Sequence, residues 1–264
     1  MKDERDRRTW VGLLEKRGRF LVAEPFFEKG RSQAIDANRD AKPGRLALIG
    51  PGKGGRRPKV LRLLGRPDVA RDALEALMVD RGLARRFSPG VERAAAEAVQ
   101  EVQERGPRKD LRDLPTFTID PATAKDFDDA LSAEDAADGV RRVWVHIADV
   151  SAYVLPGSPV DREAYRRGTS VYVPGLVEPM LPEVLSNGAC SLVPHQDRLA
   201  VTVEMELEGA TVRRTAFHRS IIRSDERLDY PRVDRIFAGE EAAEAPWAEP
   251  LVAARRAAAA LEAR

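Results

Sequence analysis

The stretch "FTIDPATAKDFDDAL", Phe117–Leu131, decides how the rest of the chain is read. It places four aspartates, Asp120, Asp126, Asp128 and Asp129, between apolar runs that read as strands. Carboxylates about 4 Å apart repel by roughly 4 kcal/mol at an effective dielectric of about 20. Such crowding requires bound protons, solvent or a cation. Asp is a hard oxygen donor, suited to Mg²⁺ or Mn²⁺. Asp120 closes one strand, "PATAK" turns the chain and "DFDDAL" enters the next, a return able to bring Asp120 beside Asp128 or Asp129. The stretch holds no cysteine or histidine, which speaks against zinc. It also lacks the Gly and the terminal Glu of an EF-hand. Taken alone, Asp-x-Asp-Asp also fits an inert acidic turn on the surface. Carboxylate-held Mg²⁺ is an apparatus for phosphoryl transfer to water.

Downstream, "RRVWVHIADV", "TSVYVP", "RLAVTVEMEL" and "TAFHRSIIRS" read as strands. "SPVDREAYRRG" reads as a helix from near Ser158, "LPEVLSNGACSL" as a short helix and turn, and the Ala-rich end as a helix. Upstream, residues 66–107 carry two helices. One has Val69, Ala73, Leu77 and Met78 at helical spacing; the other opens with Ser88 as N-cap and Pro89 in the first turn. Residues 1–65 alternate short strands with turn signals, and five such strands suit a small OB-type barrel.

Charge is divided unevenly. Residues 1–65 hold 17 Lys and Arg against 8 Asp and Glu, a net of +9, so the other 199 residues carry −8 of the chain's net +1. A basic small domain suits a phosphate backbone. Its loop "GPGKGGRRPK" offers Lys53, Arg56 and Arg57 to a phosphate backbone, or is simply a hairpin loop. Phe20, Phe26 and Phe27 are read as core residues, with base stacking as the alternative. His146, alternating with apolar residues, is read as a core histidine. The 264 residues are 33% charged and 43% hydrophobic, as in a soluble globular protein. One cysteine excludes an intrachain disulfide, and no run approaches the roughly 18–20 apolar residues of a membrane span. The expectation is a cytoplasmic protein with no membrane and no obligate protein partner.

"DLRDLPTFTIDPATAKDFDDAL" resembles the signature of the ribonuclease II / ribonuclease R (RNB) family. "VWVHIADVSAYV", Ser158–Leu207 and "SIIRSDERLDYPRV" resemble further family blocks in the same order. The resemblance implies a multidomain α+β protein. A cold-shock/OB-type barrel (1–65) and a helical linker (66–107) would precede a mixed α/β ribonuclease II-type catalytic domain (108–264), truncated at its end. It further implies a Mg-dependent exoribonuclease, with Mn as a substitute, that degrades single-stranded RNA 3′→5′ to nucleoside 5′-monophosphates. By residue match, Asp120 and Asp129 would be direct metal ligands, with Asp126 and Asp128 completing the site. Asp128 and Asp126 carry the chemistry, and loss of Asp128 is expected to hurt turnover more than binding. Tyr172 matches an aromatic that stacks on terminal bases, and Cys190 a buried, inert position. Arg227 and Tyr230 lie in a matched block with no role assigned. The family commonly has two cold-shock-type domains, where one is found here. Its catalytic domain continues past the position of Arg264 to an arginine-bearing motif and a further OB-type domain. The alternative is a non-catalytic RNA-binding fragment with an incomplete site.

Overall fold

The computed structural model describes residues 9–36, 40–52, 56–83, 86–102 and 106–264. They are mixed α and β, and the chain divides into two units: residues 1–87 with 170–178, and residues 88–169 with 179–264.

The first unit is built on β1 (Trp10–Arg17), β2 (Phe20–Pro25), β3 (Gln33–Ala34), β4 (Leu46–Gly50) and β5 (Lys59–Gly65), ordered β3-β2-β1-β4-β5. The β1–β2 hairpin closes through Gly18 at φ 61°, the left-handed conformation that the first residue of a tight hairpin turn requires. Leu14, Ala23, Ile35, Ala47 and Ile49 pack inside the sheet's curve. Val11, Leu46 and Leu64 face the other way and meet Ala76 of α1 (Ala70–Asp80). Asp80 ties that helix to the sheet by accepting from the Val11 N–H at 2.9 Å.

Among the described residues the five strands do not close into the barrel expected from their count. No ladder there joins β3 to β5, and one bond from the Asp36 N–H to the Pro58 carbonyl, 3.0 Å, bridges their flanks. With two residues, β3 offers β5 little length to pair with. A hairpin of β10 (Val171–Val173) and β11 (Leu176–Glu178) is grouped with this unit.

In the second unit, α2 (Pro89–Gln100) starts at Ser88, whose Oγ accepts from the Val91 N–H, and packs on α3 (Pro159–Arg167) and the helical turn Val184–Ala189. A seven-stranded sheet forms the body. Its strands are β6 (Lys109–Asp110), β7 (Phe117–Asp120), β8 (Asp129–Asp135), β9 (Val140–Ala148), β12 (Asp197–Glu208), β13 (Thr211–Arg223) and β14 (Glu226–Asp229), in the order β14-β7-β8-β9-β12-β13-β6. The centre is antiparallel, and both edge strands pair parallel.

Strand alternation gives the sheet two different faces. On one, Ala133, Val143 and Leu207 meet Ala253 and Ala257 of α5 (Ala248–Glu262), whose small side chains let helix and sheet approach closely. Trp247 and Leu251 fill the neighbouring space against Phe117, Leu228 and the apolar residues Val233, Ile236 and Phe237 of α4 (Tyr230–Ala238).

The other face carries a buried row of polar side chains. Thr116 Oγ1 meets Ser132 Oγ at 2.8 Å, and Ser132 Oγ meets His146 Nε2 at 3.1 Å. His146 Nδ1 meets Thr202 Oγ1 at 2.8 Å, and Thr202 Oγ1 meets Ser220 Oγ at 2.6 Å. The direction of the row follows from its end. Thr116 donates its only hydroxyl hydrogen to the Leu114 carbonyl, so Ser132 donates to Thr116. His146 then donates from Nε2 to Ser132. Burial lowers the His146 pKa to about 4, so the ring is neutral and Nδ1 accepts from Thr202; Ser220 then gives its one hydroxyl hydrogen to Thr202 at 2.6 Å rather than to the Ala200 carbonyl at 3.2 Å.

A second buried group, Asp149, accepts from Arg108 at 2.7 Å and Arg219 at 3.2 Å, stapling the segment before β6 to the end of β9. Burial pushes its carboxyl up, but Ser151, Arg108 and Arg219 outweigh that and hold it below the usual range.

Candidate active site

Strands β7 and β8 are antiparallel neighbours in register at Phe117 and Leu131, so both leave the sheet at the same end. Asp120 is the last residue of β7 and Asp129 the first of β8; the loop between them carries Asp126 and Asp128. The return expected from the sequence is therefore made, and the four carboxylates feel one another. Asp128 is partly open to solvent but sits among protein atoms, and burial together with Asp126, Asp129 and Asp120 pushes its carboxyl up to about 6. Burial also raises Asp120, opposed by Thr118 and Arg227 and reinforced by Asp129 and Asp126. Asp120 Oδ2 is buried and has no hydrogen-bond partner.

The loop is held from several sides. Ser191 Oγ accepts from the Phe127 N–H at 3.0 Å and donates to the Lys125 carbonyl at 2.9 Å. The Leu192 N–H donates to the Phe127 carbonyl and the Ala148 N–H to that of Asp128, both at 2.9 Å. Arg227 Nη2 donates to the carbonyls of Pro121, 3.0 Å, and Ala122, 2.9 Å, while its guanidinium lies 5.4 Å from the Phe127 ring centroid. Asp229, in register with Asp120 across the parallel β14–β7 ladder, caps α4 by accepting from the Arg232 N–H at 2.8 Å. Ser191 and Asp229 were not singled out by sequence reasoning, and Arg227 was placed in a matched block without a role. The signal available was Asp229-Tyr230-Pro231, an N-cap followed by a first-turn proline. Cys190 lies near this loop, and burial pushes its thiol up to about 12, which leaves it inert.

The donor set is all oxygen, and the orphaned Asp120 Oδ2 is a buried acceptor that a cation would satisfy. In chemistry the residues fit a hard divalent ion. Among the described residues, no group of three or more His, Cys, Asp or Glu side chains is arranged to hold a metal ion. The backbone has gathered the carboxylates; their side chains have not converged.

The candidate RNA contacts lie in the first unit. Tyr172 is 62% exposed on the β10–β11 hairpin, opposite Val177. Arg56 and Arg57 are exposed; Lys53 lies outside the described residues. The core reading holds for Phe26 and Phe27, which meet edge to face at 4.9 Å against Val11, Leu46 and Leu64. It is overturned for Phe20, which is 42% exposed because it opens β2 at the hairpin turn. The Arg19 and Arg57 guanidiniums lie over its ring, 5.1 and 5.3 Å from the centroid.

The RNB domain model matches residues 108–264, the span that contains the four aspartates, Ser191 and Arg227. The chain belongs to the RNB domain family. A ribonuclease R from Vibrio parahaemolyticus is 37% identical over 253 residues, covering 88% of this chain. The chain spans 30% of that RNB relative's length. Among solved structures, Mycoplasma genitalium RNase R in complex with double-stranded RNA superposes with a TM-score of 0.82 at 25% identity, over 97% of this chain and 48% of that one. Yeast Ssd1, described as a pseudonuclease, shares the fold with a TM-score of 0.71 at 16% identity, over 98% of this chain and 34% of that one. The RNB-type fold thus occurs in a nuclease and in a protein named for lacking that activity.

Proposed function

We propose that the chain carries the metal-binding part of a hydrolytic 3′→5′ exoribonuclease that acts on single-stranded RNA and releases nucleoside 5′-monophosphates. One observation carries the reading: in an RNB domain, two adjacent strands deliver four mutually repelling carboxylates to one sheet end, with a buried oxygen of Asp120 left unpaired. Asp120 and Asp129 would hold Mg²⁺, or Mn²⁺ in its place, with Asp126 and Asp128 completing its surroundings. Once bound, that ion supplies Lewis-acid polarisation of the scissile phosphate. The protein's part is to orient. The Ser191 and Leu192 bonds fix the loop that carries Asp126 and Asp128, and the β8 ladder fixes Asp129.

The first unit is read as a cold-shock/OB-type RNA-binding domain, supported by its five short strands and basic excess. Tyr172 and Phe20, the latter once the Arg19 and Arg57 guanidiniums turn from its ring to phosphates, would stack on bases, and Arg19, Lys53, Arg56 and Arg57 offer charge. The division into 1–65, 66–107 and 108–264 belongs to this proposal, as does a cytoplasmic location. Among the described residues, no helix is long and apolar enough to cross a membrane.

A second reading, RNA binding without turnover, is favoured by the unconverged carboxylates. The two separate when the chain and Asp128→Asn are incubated with end-labelled single-stranded RNA and Mg²⁺. Stepwise shortening from the 3′ end by the wild type alone supports the nuclease. Bound RNA that stays intact at every Mg²⁺ or Mn²⁺ concentration supports the second reading.

A further inference from the structure

We propose that Arg227 is a positioning residue for the acidic loop. It holds residues 121–128 against the mutual repulsion of the aspartates through main-chain carbonyls, without occupying the Asp120 carboxylate. The inference rests on the metal-site reading and adds a residue to it.

The loop's two halves are secured differently. The C-terminal half is bonded to Ser191, Leu192 and Ala148. The N-terminal half has one internal bond, Ala124 N–H to the Pro121 carbonyl at 2.9 Å, and its outside anchor is Arg227. That anchor stands on a fixed base, because Arg227 pairs with Thr118 in the parallel β14–β7 ladder. One terminal nitrogen reaches two consecutive carbonyls, and the same guanidinium lies over Phe127. Phe127 is buried between Asp126 and Asp128, so its placement sets where those neighbours emerge. Arg227 therefore ties the start of the loop to the residue between its two acids.

Its chemistry suits the task. The positive charge opposes the rise in the Asp120 carboxyl, yet the hydrogen bonds go to main-chain carbonyls. An ion pair would occupy the oxygens that a cation needs; anchoring through carbonyls supplies countercharge and leaves them available. Arg227 Nε, Asp120 Oδ2 and the neighbouring Thr118 Oγ1 are all buried without a hydrogen-bond partner. Lysine could supply the charge and a nitrogen to meet the carbonyls, but it has no planar group that lies over the Phe127 ring while a second nitrogen makes those bonds.

The test uses Arg227→Lys and Arg227→Met in the full chain, with two readouts. One is Mn²⁺ affinity by electron paramagnetic resonance. The other is amide hydrogen exchange at Ala124 and Phe127, with β9 and β12 as the folding control. The proposal predicts that both variants speed exchange in the loop, leave the central strands protected and weaken Mn²⁺ binding by about 10–100-fold. It is overturned if Arg227→Lys keeps loop protection and Mn²⁺ affinity within about twofold of wild type, since charge alone would then suffice. Loss of protection throughout the sheet also overturns it, because Arg227 would then support the whole fold. If the wild type binds no Mn²⁺, the metal-site reading fails. The exchange comparison then decides by itself: faster loop exchange in both variants supports the clamp, and unchanged exchange overturns it.

Discussion

Asp128 accepts a raised carboxyl pKa, about 6 against an ordinary 3.8, as a consequence of burial first and of its three acidic neighbours second. Between those two pH values the folded state binds more protons than the unfolded one. Stability of the metal-free chain therefore falls as pH rises through that window. Asp128→Asn removes the repulsion, so in EDTA at neutral pH it should stabilise the chain by about 1 kcal/mol, a figure discounted for the solvent that reaches the group. Denaturant unfolding checks this; a variant less stable than wild type contradicts it. Phe20→Ala should cost about 1–3 kcal/mol in single-stranded RNA affinity with little change in thermal midpoint, read by fluorescence anisotropy and a melt. The four aspartates were legible because charge crowding shows in one dimension. Phe20 was misread because burial depends on where a hairpin turns, and Arg227 had no legible role because its partners lie more than a hundred residues away.

The polar row gives the sheet an element-scale pH dependence. His146 is neutral when folded, with a pKa of about 4 against an ordinary 6.5, so the unfolded state binds more protons between those values. Stability is fully present above about pH 6.5 and is lost as pH falls toward 4. Urea unfolding across that range should show the decline, and a flat profile would count against the buried neutral tautomer. Thr202→Val removes the donor to His146 Nδ1 and the acceptor for Ser220, and should cost about 1–3 kcal/mol, measured the same way at pH 7. Helices α1, α2, α3 and α5 were readable from spacing and caps. Strand β14 was not, because four residues show no periodicity, and α4 followed it unseen although Asp229 caps it. Those two elements place Arg227 and Asp229 beside β7, so the missed part of the fold is also the missed part of the site.

At the scale of the whole molecule, the basic excess of residues 1–65 and the acidic balance of the rest divide the labour. The first unit would grip RNA by charge, and the second would present carboxylates that exclude it until a cation binds. RNA affinity should fall steeply with salt, and Arg57→Ala should reduce the slope of log K against log salt by about 0.7 if that side chain meets one phosphate. An unchanged slope removes Arg57 from the RNA path. The α+β class and the return from β7 to β8 around the aspartates follow from local pattern. Closure of the small sheet does not, because it depends on the length of a two-residue strand.

The central claim is that the end of β7 and β8 is a divalent-cation site, and the most direct measurement is anomalous diffraction from crystals of the chain grown with Mn²⁺. A Mn²⁺ peak is expected in contact with Asp120 and Asp129, with the Asp120 side chain turned so that Oδ2 gains a partner. Well-ordered aspartates with no peak at saturating Mn²⁺, or a peak elsewhere in the molecule, would contradict it.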